Sequence, residues 1–321
     1  MSLVGDGPGR ARRGLVTAAP LVFVLLWSTG FIGAKYGLPY AEPFTFLALR
    51  LAIASALLAV LAVLLRTKRP TRRQVAIAAV SGLLLHASYL GGVFWAIDQG
   101  TPASVAAAVT SLQPVLVAAF AGRVLGEPVT GRTWMGLAVG VAGVGLVLGP
   151  GLVAAAGDSS SIPLAGVASL VVALAAGTSG TVFQKRFGDD VPLVPGTTIQ
   201  YAASTVVLLL LAITAETMAV EWTGEFVAAM VWLVLVLSIG AVLLLLVLLR
   251  RGSASGVSSL FYLVPPATAL EALVLFGEGL RPISLVGIAI TAVGVALVLR
   301  GSGRVPDGAL RGAARDSRGA R

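Results

Sequence analysis

Apolar residues run through this chain in long, nearly unbroken blocks, and short polar stretches carrying most of the charge separate them. The blocks fall at 15–34, 43–65, 74–97, 102–122, 131–149, 163–184, 192–215, 226–249, 254–276 and 282–299. At a rise of about 1.5 Å per residue, each falls within the range of lengths with which α-helices cross a hydrocarbon layer of about 30 Å. Lipid offers the backbone no hydrogen-bonding partner, so a block of this length satisfies its own amides by coiling. The pattern predicts an all-α membrane protein of ten transmembrane helices, the Gly-rich span from Arg132 to Leu148 being the shortest.

Composition agrees: 57% of the residues are hydrophobic and 12% charged, where a soluble domain has about a quarter charged. There is no cysteine and one histidine, which removes disulfides, thiolate metal sites and thiol nucleophiles. Arg10, Arg12 and Arg13 precede the first block in the order of a signal sequence. That block exceeds an ordinary signal core, and it is read as an uncleaved first span.

The net charge of +9 changes meaning once it is located. With ten spans, 20 of the 23 basic residues fall on one side: the N-terminal arginines, Arg66 to Arg73, Arg123 and Arg132, Lys185 and Arg186, Arg250 and Arg251, and the tail from Arg300. Lys35 and Arg281 fall on the other side, and Arg50 lies within a span. The positive-inside rule then puts both termini in the cytoplasm. The basic excess is read as contact with anionic lipid and control of orientation, with no nucleic-acid partner. Acidic residues such as Glu42, Asp98, Glu216 and Glu278 gather mainly on the outer side, where they keep loops hydrated.

The chain repeats itself. A shift of 151 residues sets Ala103-Ser104 on Ala254-Ser255, Pro114 on Pro265, Gly126-Glu127 on Gly277-Glu278, Gly136 on Gly287 and Gly143 on Gly294. A shift of 150 sets Lys35 on Lys185 and Arg50 on Gln200. Five spans per half is an odd number, so the two copies enter the membrane in opposite directions. Inverted repeats of this kind are a recurring plan of secondary transporters. The competing reading is a duplication that merely lengthened a bundle.

Two signatures, SLQPVLVAAFAGRVLGEP from Ser111 and YLVPPATALEALVLFGE from Tyr262, are each followed by spaced glycines and a GVxLVL-like end. In this the chain resembles the paired EamA domains of the drug/metabolite transporter (DMT) superfamily, over about residues 20–299. The stretch HASYLGGVFWAIDQGTPASVAA from His86 is similar to the bacterial metabolite and amino-acid exporter branch. The resemblance implies two inverted five-helix repeats around a central cavity, no ATPase, and export or exchange of small polar metabolites, with an amino acid or related compound favoured. Other solute classes, drug-like compounds or phosphorylated sugars, stay open.

The expected organisation is a cytoplasmic segment at 1–14, a first repeat at 15–149, an outer linker at 150–162, a second repeat at 163–299 and a disordered basic tail at 300–321. The expected location is a bacterial inner membrane. The oligomeric state is left open, a monomer included.

Charge inside a bilayer costs roughly 2.5 to 3.5 kcal/mol on insertion scales, so intramembrane ionisable groups are functional candidates. Arg50 and Glu271 each lie about seven residues from the outer end of their spans, roughly 10 Å deep. Matched depth makes them a candidate pair, with Glu271 as the proton-coupling carboxylate. The alternative has Arg50 snorkelling outward and Glu271 capping a helix break. Substrate-binding candidates at similar depth are Trp27, Arg50, His86, Tyr89, Gln113, Gln200, Tyr201 and Tyr262. A lone buried imidazole such as His86 is also commonly a packing residue. Pro114 and the pair Pro265-Pro266 are expected to break their helices near the membrane centre, freeing carbonyls toward a cavity or simply bending the rod. Glu127 and Glu278 are expected to satisfy neighbouring helix N-termini. Lys185, at an inner mouth, would attract an anionic substrate or contact headgroups. The face at Gly136, Gly140 and Gly143 would allow close helix packing.

No HExxH or GxxxxGK[ST] motif occurs, and no set of residues suggests a cofactor or metal. An intramembrane enzyme or a scaffold would leave the duplication unexplained, and the chain is expected to be no enzyme.

Overall fold

The computed structural model describes residues 8–101, 103–157, 163–276 and 282–302. Those residues are helical almost throughout, and the only sheet-like pairing among them is an isolated bridge between Ala41 and Val220. Seven helical rods are long and apolar enough to cross a membrane: Pro43–Leu64, Arg72–Asp98, Gly131–Gly149, Leu164–Phe187, Leu193–Ala215, Gly224–Arg251 and Pro282–Gly301. Shorter apolar helical stretches occur at Ala18–Gly30 and Gln113–Val124. Of the outer linker expected at 150–162, residues 150–157 continue the helix that begins at Gly131, and 158–162 lie outside the described residues, as do the turn holding Glu278 and the basic tail beyond residue 302.

The chain begins with α1 (Pro8–Gly37) and α2 (Pro43–Leu64). The third apolar block forms α3 (Arg72–Gly82), a π-helical stretch at Leu83–Leu90 and α4 (Gly91–Asp98). The fourth divides into α5 (Ala103–Thr110) and α6 (Gln113–Val124), interrupted at Ser111-Leu112. Then follow α7 (Gly131–Gly157), α8 (Leu164–Phe187) and α9 (Leu193–Ala215). The eighth block is α10 (Gly224–Trp232), a second π-helical stretch at Leu233–Ala241 and α11 (Val242–Arg251). The ninth is α12 (Ala254–Ser259), a 3-10 turn at Leu260–Leu263 and α13 (Val264–Phe276), and α14 (Pro282–Ser302) is the last.

Several ends are set by local chemistry. Thr71 and Gln74 form a reciprocal capping box at the start of α3. Thr223 accepts from the Phe226 amide (3.1 Å) and Ser253 from the Gly256 amide (3.0 Å), opening α10 and α12. Both interruptions in the fourth and ninth blocks fall just before a proline, Pro114 or Pro265, which has no N–H to continue the preceding turn.

Burial sorts the side chains into an interior and a lipid-facing exterior. One core cluster gathers Phe46, Leu51, Leu170, Leu208, Phe226 and Leu233 from several helices. A second contains Phe23, Leu137, Tyr262 and Val298. Large apolar residues such as Val63, Leu164 and Val274 face outward; their environment in a membrane is lipid. α2 packs along α9, and α7 along α14.

The contact between α7 and α14 depends on glycine. A Cβ on Gly136 would stand 2.7 Å from the Gly294 carbonyl oxygen, and one on Gly287 would stand 2.7 Å from that of Gly143. Low residue numbers on one helix thus meet high numbers on the other, an antiparallel crossing in which two backbones touch.

Carboxylates thought only to hydrate the outer loops instead bind helix ends together. Glu216 at the end of α9 accepts from the amides of Phe44 (2.6 Å) and Thr45 (2.7 Å) and from the Thr45 hydroxyl (2.7 Å), satisfying orphan donors at the start of α2. Glu42 answers by accepting from the amide (2.8 Å) and hydroxyl (2.7 Å) of Thr217. At the other end of the bundle, Glu127 accepts from the Ala254 amide (2.8 Å) at the start of α12. Lys185 donates to the carbonyls of Leu249 (2.7 Å) and Gly252 (2.8 Å) where α11 ends, rather than standing free for a substrate or headgroup.

Candidate functional site

A cavity of about 120 Å³ lies inside the bundle. Its wall is largely apolar, from residues such as Val93, Phe94, Ile97 and Leu245, and its polar positions come from both halves of the chain. Trp27, Arg50, His86, Tyr89, Gln113, Gln200 and Tyr201 all line it.

All four departures from regular α-helix among the described residues of the apolar blocks border this space. The first π stretch supplies Leu85, His86 and Tyr89; the second supplies Leu237 and Ser238. Ala107, Thr110 and Gln113 flank the Ser111-Leu112 interruption, and Val257, Ser258 and Phe261 come from the broken ninth block. π-helical turns admit an extra residue and redirect side chains, and they recur at functional sites.

A chain of hydrogen bonds joins these elements. Arg50, 4% exposed, donates from Nε to the Ser238 hydroxyl (2.9 Å). The Tyr201 hydroxyl donates to the Ser238 carbonyl. The His86 ring meets the Tyr201 ring edge to face at 4.9 Å, and its Nε2 donates to Gln200 Oε1 (3.4 Å). Gln200 Nε2 donates in turn to Gln184 Oε1 (3.1 Å). On another part of the wall, Gln113 Nε2 donates to Thr181 Oγ1 (3.2 Å), whose hydroxyl donates to the Gly177 carbonyl (2.8 Å). A Cβ on Gly177 would come within 2.8 Å of the Tyr89 ring, so the ring's place depends on that glycine. Trp27 stands in an aromatic cluster with Phe23 (5.2 Å) and Phe261 (5.3 Å).

Two expected members stand apart. Tyr262 does not line the cavity; it is fully buried in the second core cluster, its ring against Gly140, where a Cβ would be 2.5 Å away. Glu271 is also outside the lining and makes no ion pair with Arg50. Its Oε1 accepts from the Ser28 hydroxyl (2.6 Å) on α1, and its buried Oε2 has no hydrogen-bond partner. The shared depth of Arg50 and Glu271 was a poor guide because their helices have different neighbours, α2 lying along α9 and α13 against α1.

Ser238, Thr181 and Gln184 were missed in the sequence. Ser238 had a legible signal: it is the polar residue of the aliphatic run from Leu233 to Leu249, and the internal repeat sets the two π stretches on each other. Among the described residues, no group of three or more His, Cys, Asp or Glu side chains could hold a metal.

A model of the EamA-like transporter family matches the chain twice, at residues 13–149 and 164–300. An "Uncharacterized transporter YvbV" of Bacillus subtilis (strain 168) is 28% identical, the match covering 88% of this chain and 91% of the relative. An "Uncharacterized inner membrane transporter YedA" of Escherichia coli (strain K12) is 27% identical over 86% of this chain and 88% of its own. A "Probable terminal-alkyne amino-acid exporter" of Streptantibioticus cattleyicolor is 29% identical over 88% of this chain and 92% of its own. A protein solved by crystallography, 21% identical, superposes with a TM-score of 0.74 over 91% of this chain and 100% of its own, and so shares the fold. Two family matches in tandem, joined to a bundle of apolar helices, settle the class as a membrane transporter of the DMT superfamily and not an enzyme. The chain belongs to the EamA-like transporter family.

Proposed function

We propose that the protein is a secondary transporter that exports or exchanges a small polar metabolite, an amino acid or a close relative, by alternating access across a bacterial inner membrane. The observation that carries this reading is the convergence of four irregular helix stretches, drawn from both repeats, on one cavity that holds a buried guanidinium among a few polar groups. Irregular backbone is tolerated at membrane depth where it lines such a space, and it supplies both unpaired carbonyls and points of bending. A bundle that only filled a membrane would have no use for a guanidinium there, since burying one costs roughly 2.5 to 3.5 kcal/mol on insertion scales.

In this reading the ten apolar blocks are ten spans, arranged as two repeats of opposite orientation with both termini cytoplasmic. The antiparallel crossing of α7 and α14, which close the two repeats, supports that arrangement. Inverted repeats exchange conformations to expose a central site first to one side and then to the other. The relative named as an amino-acid exporter supports the substrate class. Glu271 is the proton-coupling group: one of its carboxylate oxygens is buried without a partner, and the other is bonded to Ser28, next to the cavity residue Trp27. Its proton would act through α1 rather than through direct pairing with Arg50.

The test is a metabolite survey of cells with and without the protein, followed by counterflow in sealed vesicles holding purified protein, with and without a proton gradient. Accumulation of an amino acid against its labelled form is the expected result. Vesicles that exchange no metabolite under any gradient would refute the proposal.

A further inference from the structure

We infer that the transported solute carries an oxyanion seated against the terminal nitrogens of Arg50, and that no side chain of the cavity supplies a matching site for a cation. The inference rests on the transport reading and narrows it.

Among the described residues, Arg50 is the only charged side chain lining the cavity, and no Asp or Glu lines it. The guanidinium spends Nε on the neutral Ser238 hydroxyl (2.9 Å), and its two Nη atoms donate to no acceptor among the described residues. Glu271, the carboxylate expected to pair with it, lies outside the lining and bonds Ser28 through one oxygen instead. A buried guanidinium without a counter-ion is costly, and a pair of free Nη donors presents the planar fork that carboxylates and phosphates accept in bidentate fashion. Ser238 holds the fork by its back, and Tyr201 fixes the backbone at Ser238 by donating to its carbonyl. The guanidinium is therefore oriented before any solute arrives.

Two further lining positions offer no counter-charge. Gln113, at the start of α6 on another part of the wall, presents a neutral amide bonded to Thr181. At the place in the second repeat that corresponds to Arg50 stands Gln200, neutral and already bonded to His86 and Gln184. Among the described residues that line it, the cavity thus carries one positive charge and no negative one. The remaining wall, with Val93, Phe94, Ile97 and Leu245, suits an apolar body attached to that anionic end.

The experiment uses vesicles containing the full-length purified protein, loaded with a panel of defined compounds whose release is followed by mass spectrometry. The panel holds the twenty amino acids, their N-acetyl acids, their amides, their N-acetyl amides, and a set of sugar phosphates. Release of free acids is expected, with N-acetylation changing the rate less than about threefold and amidation lowering it tenfold or more. Arg50→Gln should lose at least tenfold on the acids, and Arg50→Lys should recover part of it. Ser238→Ala, which keeps the charge, should slow release while preserving the preference for acids, which separates loss of the charge from misfolding. Release of sugar phosphates in an Arg50-dependent manner would support the oxyanion site while refuting an amino-acid substrate. Amides released as fast as acids, or acids released equally by Arg50→Gln, would overturn the inference. Release of nothing by the unaltered protein would remove the transport reading beneath it.

Discussion

Arg50 and Gln200 occupy corresponding places in the two repeats, and each bonds to the π-helical stretch of the opposite repeat. Arg50 reaches Ser238 at 2.9 Å, and Gln200 receives His86 at 3.4 Å. The same reciprocity recurs at the edge of the bundle, where Gly136 meets Gly294 and Gly143 meets Gly287. Contacts exchanged in this way are what the proposed two-fold relation between repeats would produce. The correspondence does not extend to side-chain chemistry, for one repeat offers a cation and the other an amide.

The glycine crossing should be sensitive to single methyl groups. At Gly143 a Cβ would stand 2.5 Å from the Thr291 amide nitrogen, whereas at Gly145 nothing lies within 4 Å. Gly143→Ala should destabilise by about 1–3 kcal/mol through overpacking against backbone, and Gly145→Ala should be neutral or slightly stabilising. Thermal unfolding of the two variants in one detergent compares them directly. Equal melting temperatures would contradict the close approach of α7 and α14.

Removing the Glu216 carboxylate should loosen the junction between α9 and α2. Glu216→Ala leaves two backbone amides and a hydroxyl without their acceptor, a loss of about 1–3 kcal/mol for groups cut off from water. Glu216→Gln keeps one acceptor oxygen and should recover part of that. Faster hydrogen exchange at Phe44 and Thr45 in the alanine variant is the expected signature.

Glu271 offers a direct check on proton coupling. With Gln at this position the acceptor to Ser28 survives but the titrating proton is gone, so transport should persist with a flattened pH profile and no response to an imposed gradient. Ser28→Ala should alter the rate while leaving pH dependence in place. A normal rate and profile in Glu271→Gln would remove this residue from the coupling step.

Orientation is open to labelling without background, since the chain contains no cysteine. Lys68→Cys, in the basic loop between α2 and α3, should react with an impermeant maleimide only from the cytoplasmic side. Asp98→Cys, at the end of α4, should react only from outside. Reaction of both from the same side would contradict an odd number of crossings between them and, with it, the inverted arrangement.

Sequence by itself determined which segments are apolar helices, roughly where each begins and ends, and which polar residues lie well inside them. Hydropathy and the rise of a helix are one-dimensional quantities, and Arg50, His86, Gln113, Gln200 and Tyr201 were legible as buried polar groups on those terms. The tandem motif also announced the duplication and the breaks before Pro114 and Pro265. Only the tertiary structure decided which way each residue faces about its helix axis and which helices are neighbours. Two π stretches reset that direction partway along their rods, bringing Ser238 to Arg50 and His86 to Gln200. Tyr262 turned to a glycine in the core, and Glu271 turned to Ser28 on α1. Depth fixes one coordinate of a side chain in a bundle, while the other two arise from packing between segments far apart in the chain.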